Sequence, residues 1–102
     1  MNSLTTDTKT PRAQHVLVNE HTLTIDLYDG RTLSVPLTWF PRLLHGSAQE
    51  RNKWRFVGNG EGIHWPDLDE DISVENLLAG KASFESQSSL KQWLEQRSNS
   101  TT

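Results

Sequence analysis

The amino-acid sequence predicts a small α+β domain: an antiparallel three-stranded meander, a short helix, a second β-hairpin and another short helix, with flexible polar tails. Three observations carry that expectation. Leu23, Ile25 and Leu27 alternate with polar residues before Asp29-Gly30, and Leu33, Val35 and Leu37 alternate after it, the period of half-buried strands. Trp54-Arg55-Phe56-Val57 and Ile63-His64-Trp65 flank the glycine-rich Gly58-Asn59-Gly60-Glu61-Gly62, which reads as a second pair of strands. Ser73 and Gly80 bracket a short apolar run in the way that caps bracket a helix.

Each element follows in order. His15-Val16-Leu17-Val18 supplies the first strand. A four-residue loop at 19–22 sets Val16 opposite Ile25 and Val18 opposite Leu23, keeping one face apolar. For the second connection, a two-residue Asp29-Gly30 turn would place Ile25 opposite Ser34. A three-residue loop of Tyr28, Asp29 and Gly30, with Gly30 left-handed, pairs Ile25 with Leu33 and Leu23 with Val35, so the bulged loop is expected. Pro36 cannot donate to a ladder, which puts the third strand on an edge or ends it there. Thr38 to Gly46 reads as a helix with Thr38 as N-cap, Pro41 in the first turn and Gly46 at its end. Ser47-Ala48-Gln49-Glu50 has the capping-box pattern and predicts a second helical turn to about Lys53. In the second hairpin, Trp54 with Phe56 and Ile63 with Trp65 share inward faces, Arg55 and His64 point outward, and Pro66 ends the unit. Ser73 caps the next helix, with Ile72 and Leu77 as a hydrophobic staple and Gly80 past its end. Ser89 to Leu94 has helical apolar spacing, and this last helix is expected to dock loosely.

Composition bounds the rest. The 102 residues allow one domain, expected at 13–95, with its turn and strand signals over about 15–80, between disordered tails at 1–12 and 96–102. Hydrophobic residues make up 33%, and four Trp and three Phe supply most of the large apolar area. A net charge of −3 argues against a general nucleic-acid binder, which needs cations to displace phosphate counterions. Zero cysteines exclude disulfides, thiolate metal sites and thiol nucleophiles. Without a signal peptide or a membrane-length apolar run, the expected location is the cytoplasm.

Candidate chemistry concentrates between residues 61 and 75. Asp67, Asp69, Glu70, Asp71 and Glu75 could ligate a hard cation, but they lack an EF-hand's glycine and terminal glutamate spacing. Acids crowding a helix entrance, favoured by its dipole, explain them better. His64 near these carboxylates could make an acid–base pair, yet no nucleophile or metal motif accompanies it. The four histidines are scattered, one per element. The glycines at 58–62 lack the Lys-Ser/Thr ending of a phosphate loop, and a hairpin with positive φ angles accounts for them. Arg51, Lys53 and Arg55 form a basic patch that could complement the acids within the fold or between subunits. Trp39 and Trp93 are the aromatic residues most open to a binding role.

A family resemblance adds to this reading. Asp29-Gly30-Arg31, Val35-Pro36-Leu37, Trp39-Phe40-Pro41, Trp54-Arg55, Gly62-Ile63-His64-Trp65-Pro66 and Asp69-Glu70-Asp71-Ile72-Ser73-Val74 with Leu77-Leu78 resemble the bacterial domain-of-unknown-function family 2442, in the variant common in cyanobacteria. The resemblance implies a compact α+β domain. It also implies an adaptor or antitoxin-like role, because members occur fused to helix-turn-helix domains or encoded beside a small toxin-like family. After Gly80 too few residues remain for such a DNA-binding domain. No catalytic residues are carried over.

The expected function is therefore a small non-catalytic protein-interaction domain that binds a partner protein, possible as a homodimer, without membrane, nucleic acid or cofactor. Its expected interaction face combines Arg55, His64, Asp67, Asp69 and Glu70 at the solvent-facing end of the second hairpin. The alternatives are a metal-dependent or acid–base enzyme using His64 with the Asp67–Asp71 carboxylates, and a transcription-linked regulator. A concave pocket holding His64 and two carboxylates would favour the enzyme.

Overall fold

Alternating apolar residues build the first sheet from β1 (Ala13–Val18), β2 (Thr22–Leu27) and β3 (Thr32–Pro36), antiparallel in the order β1-β2-β3. A computed structural model describes residues 10–100 of the chain. Both expected registers hold: Val16 lies opposite Ile25 and Val18 opposite Leu23, while Ile25 faces Leu33 and Leu23 faces Val35. Gly30 takes φ 97° in the bulged loop, as parity required. Asn19 Oδ1 accepts from the His21 and Thr22 amides at 2.8 and 2.7 Å and so tightens the first loop.

β1 starts earlier than the apolar run suggests. A bulge between Ala13 and His15 turns Ala13 inward, where it is buried. One extra residue, Gln14, breaks the alternation that sequence reading relies on. Of the tail expected at 1–12, residues 1–9 lie outside the described residues. Arg12 is ordered against the sheet: its carbonyl accepts from the Tyr28 amide at 3.1 Å, and its guanidinium lies 4.9 Å over the Tyr28 ring.

Pro36 closes β3 on the sheet edge. A 3₁₀ turn at Leu37–Trp39 and α1 (Pro41–His45) then stand where one helix capped by Thr38 was expected. The break falls at Phe40, with φ −132° and ψ 87°. Proline clashes with an α conformation in the residue before it, so Pro41 forces Phe40 out of the helix and starts a new one. In α2 (Ala48–Arg51) the capping box forms in both directions between Ser47 and Glu50.

The second sheet holds β4 (Arg55–Val57), β5 (Gly62–Trp65) and β6 (Glu70–Ser73), in the order β4-β5-β6. β6 is a correction to the expected hairpin. Pro66 does end β5, but it opens a tight turn in which Asp69 takes φ 51° and Leu68 is fully buried. The acids at 67–71 thus belong to a turn and a strand, and only Glu75 lies in the first turn of α3 (Val74–Leu78). Ser73 caps α3 as expected, accepting from the Asn76 amide at 3.2 Å. Gly80, at φ 78°, donates to Leu77 O, and Lys81 donates to Asn76 O, which is the Schellman arrangement.

α4 (Gln87–Ser100) runs longer than the 89–94 spacing indicated and extends into the tail expected at 96–102. Residues 101–102 lie outside the described residues.

The core gathers Leu23, Ile25, Leu37, Leu43, Ile63, Trp65, Leu68 and Val74, all less than 2% exposed. The sheets join where the Ala13 amide donates to Gly60 O at 2.7 Å. Gly60 has φ 93°, and a Cβ there would fall 2.6 Å from Ala13 O, so glycine is required twice over. Trp65 stays satisfied in the core by donating its indole N–H to Arg51 O at 2.9 Å. The expected inward face of Trp54 and Phe56 is another correction: Trp54 is only partly buried and Phe56 is exposed, their rings 4.9 Å apart. β4 is a three-residue edge strand with no buried residue, whereas β5 and β6 put Ile63, Trp65 and Ile72 into the core.

Candidate functional site

One register row crosses the second sheet: Arg55 on β4 pairs with His64 on β5, and His64 pairs with Asp71 on β6. Cross-strand neighbours point to the same face, so these three side chains stand together on the side away from Ile63, Ile72 and Trp65. His64 Nδ1 lies 2.6 Å from Asp71 Oδ1, a hydrogen bond in which the carboxylate accepts. His64 is shielded (20% side-chain exposure) while Asp71 is open at 75%.

The other expected site residues separate. Asp67 reaches Lys53 Nζ at 3.4 Å, so part of the basic patch does meet the acids within the fold. Asp69 Oδ2 and its carbonyl take Arg42 Nη1 at 3.4 and 3.1 Å. Glu70 points to the opposite face from His64, beside Trp65 in register, and is only 9% exposed. The solvent-facing position expected for it is therefore corrected: period two sends Glu70 inward once β6 is a strand. Arg51 is drawn off to cap α1, donating to Leu43 O and Leu44 O at 2.8 and 2.7 Å. Among the described residues, no three histidines, aspartates or glutamates converge as a metal-ligand group.

Glu70 carries the largest electrostatic perturbation. Burial pushes its carboxyl up to about 7; the Arg42 charge pulls the other way, and Glu85, Asp71 and Asp69 add to the rise. Arg42 cannot do more, because its donors are committed elsewhere. Its Nε and Nη2 hold Glu85, with the shortest contact 2.6 Å, and its Nη1 serves Asp69. The hydrogen bond from Arg42 holds the Glu85 carboxyl below its ordinary range.

This network also docks α4. Arg42 and Arg97 lie 5.0 and 4.6 Å over the Trp93 ring, Arg97 donates to Glu50 Oε1 at 2.8 Å, and Ser89 donates to Glu85 at 2.9 Å. The sequence showed no sign of it, since its partners are more than forty positions apart, as in Arg42–Glu85 and Arg97–Glu50. Asp71 was more accessible: Ile72 and Val74 alternate with Asp71 and Ser73, a strand signal hidden by the acid run.

Among the described residues, three surface hollows bear on the site. The largest of these three, about 530 Å³, lies between Pro11, Val57, Glu61, Asp71 and Glu75. The second, about 220 Å³, is lined by Phe40, Glu70, Ser73, Asn76, Lys81 and Ser83 among others. The third, about 180 Å³, lies by Arg12, Tyr28 and Asp29. His64 lines none of them.

With this architecture in place, the profile of a protein family of unknown function, DUF2442, matches residues 15–83. The chain belongs to the DUF2442 family. The matched span takes in both sheets and ends before α4, so the α4 clasp lies outside the part of this DUF2442 protein that the family profile matches. A crystal structure of a protein of unknown function from Rhodospirillum rubrum is similar, with 28% identity, TM-score 0.65, and coverage of 74% of this chain and 93% of that one. A solution structure of an uncharacterised protein from Chromobacterium violaceum shares the fold at 18% identity and TM-score 0.62, covering 80% of this chain and 75% of that one. No curated protein matches the chain. Among the described residues, no helix is long and apolar enough to cross a membrane.

Proposed function

We propose that this DUF2442 chain is a non-catalytic protein-interaction domain whose second sheet binds a partner protein. One observation carries the reading. Among the described residues β4 has a neighbour on one side only, and Arg55, Phe56 and Val57 are exposed along its whole length. An edge strand of this kind offers unpaired backbone groups beside apolar side chains, the surface that strand addition uses. Arg55 continues the polar row into His64 and Asp71, giving a charged face next to the apolar edge. An antitoxin-like or regulatory role for that binding rests on the family resemblance.

The test is capture of a partner by the tagged full chain, compared across matched variants. Phe56→Asp and Val57→Lys are expected to abolish capture. Leu17→Asp, on the exposed face of the other sheet, is expected to retain it. Equal capture by all three variants would overturn the reading.

An acid–base enzyme is the second reading, and the His64–Asp71 pair is the observation in its favour.

A further inference from the structure

β6 is the other open edge of the second sheet, and it runs beside the hollow that Glu70 lines. The direction of its backbone groups follows from one bond. The Val74 amide donates to Glu61 O at 3.0 Å, making 61 and 74 a hydrogen-bonded pair. Antiparallel ladders alternate, so Ile72 and Glu70 also turn their backbone groups toward β5, while the Asp71 and Ser73 amides and the Asp71 carbonyl face the open edge. The Glu70 carboxylate, on a residue nine-tenths buried, has no hydrogen bond or ion pair among the described residues. Its nearest strong cation, Arg42, is committed to Glu85 and Asp69. Lys81 is the one cation on the hollow's wall, and it is exposed and makes no ion pair with Glu70. No side-chain oxygen among the described residues is both enclosed and unbonded, so the Glu70 oxygens open onto the hollow, where a positive or donating group from outside can reach them.

We propose that the β6 edge and the Glu70 hollow together receive an extended segment of a partner protein that carries a lysine or arginine. The segment pairs its backbone with Asp71 and Ser73 and places its cation against the Glu70 carboxylate. A free amine would satisfy Glu70 but leave the adjacent edge amides unpaired, which favours a peptide as the source of the cation. Alternation along an added strand sends one side chain into the hollow and its neighbours toward Asp71 and His64. The inference deepens the protein-interaction reading and rests on it, but it uses β6 where that reading uses β4.

The experiment is a titration of the full, ¹⁵N-labelled chain at about pH 8, above the Glu70 value, with a capped peptide of two threonines, lysine and two threonines. The amides of Asp71 and Ser73 are expected to shift, and a norleucine version is expected to bind about tenfold more weakly, the worth of one charge-assisted hydrogen bond. On Glu70→Gln, which is nearly isosteric, the lysine preference is expected to vanish while the fold persists. Methylating the peptide's backbone nitrogens should remove the Asp71 and Ser73 shifts. Wild-type affinity should also fall about tenfold from pH 8 to about 5.5 as Glu70 protonates, and that dependence should be absent in Glu70→Gln. The charged groups around Glu70 (Arg42, Glu85, Asp69, Asp71 and, on the hollow's wall, Lys81) are common to both proteins. Equal binding of the lysine and norleucine peptides overturns the proposal. Binding of butylammonium with no response of the edge amides to any peptide overturns it too, in favour of a small-amine site. Either failure leaves partner capture through β4 intact, whereas a capture result that fails while the peptide still binds β6 strikes the β4 surface alone.

Discussion

Burial holds the Glu70 carboxyl near 7 in the folded chain against an ordinary 4.5. The folded state therefore binds this proton more tightly than the unfolded state does. The resulting stabilisation is complete below about pH 4.5 and is lost as pH rises through about 7, a swing of roughly 3 kcal/mol at most. Glu70→Gln keeps the shape and removes the titration. Its stability relative to wild type is expected to rise across that window and to exceed wild type at about pH 8 by about 1–3 kcal/mol, read from urea unfolding at each pH. Gly60 tests backbone geometry in the same way. Gly60→Ala combines a left-handed φ with a clash on the Ala13 carbonyl and is expected to cost more than 2 kcal/mol, roughly the sum of strain and overpacking. Gly30→Ala, with open space around it, should cost only about 1 kcal/mol.

At the scale of elements, caps and clasps decide which segments hold. The Ser47–Glu50 box gives α2, a four-residue helix, its main local support, so Ser47→Ala is expected to cost about 1 kcal/mol in thermal unfolding. α4 depends instead on tertiary contacts. The Arg42–Glu85 pair is shielded, with 16% and 10% side-chain exposure, so breaking it leaves a guanidinium without its main partner. Glu85→Gln is expected to cost about 2 kcal/mol, with amide exchange accelerating in residues 87–98 and little change in β2. Glu85 and Glu50 both sit below their ordinary range because of Arg42 and Arg97. Their contribution is present above pH 4.5 and is lost as pH falls below it, opposite in sign to Glu70. Acid is thus expected to loosen α4 first.

Across the whole molecule, the buried apolar cluster lies within residues 13–77 and spans both sheets. The Ala13–Gly60 bond and the shared core couple the sheets, so they are expected to unfold in one transition seen alike by tryptophan fluorescence and far-ultraviolet dichroism. α4 adds the partly buried Trp93 to the edge of that cluster. A chain ended after residue 84 is therefore expected to remain folded, with a lower melting temperature that depends less on salt than that of the full chain. Loss of the cooperative transition in that shortened chain would show α4 to be part of the core unit.

The sequence by itself determined the α+β class, the first sheet with both registers, the capping box at Ser47, the cap at Ser73, and the centre strand through Ile63 and Trp65. These are set by period, parity and capping chemistry within about a dozen residues, so local patterns carry them. It also carried the family resemblance, through motifs that are themselves turns, strands and caps. Tertiary structure alone decided the rest. β6 stayed hidden because four acids resemble a helix entrance until β5 pairs with them, and that pairing sends Glu70 inward and Asp71 to His64. Of the five expected interaction residues, Arg55 and His64 share a face, Asp67 and Asp69 are tied to Lys53 and Arg42, and Glu70 lies on the opposite side. The α4 clasp joins residues more than forty positions apart through ion pairs and ring contacts, which leave no periodic trace in a sequence. Burial, which raises Glu70 and makes it a candidate anchor, is a property of the assembled sheet and not of the acidic run that contains it.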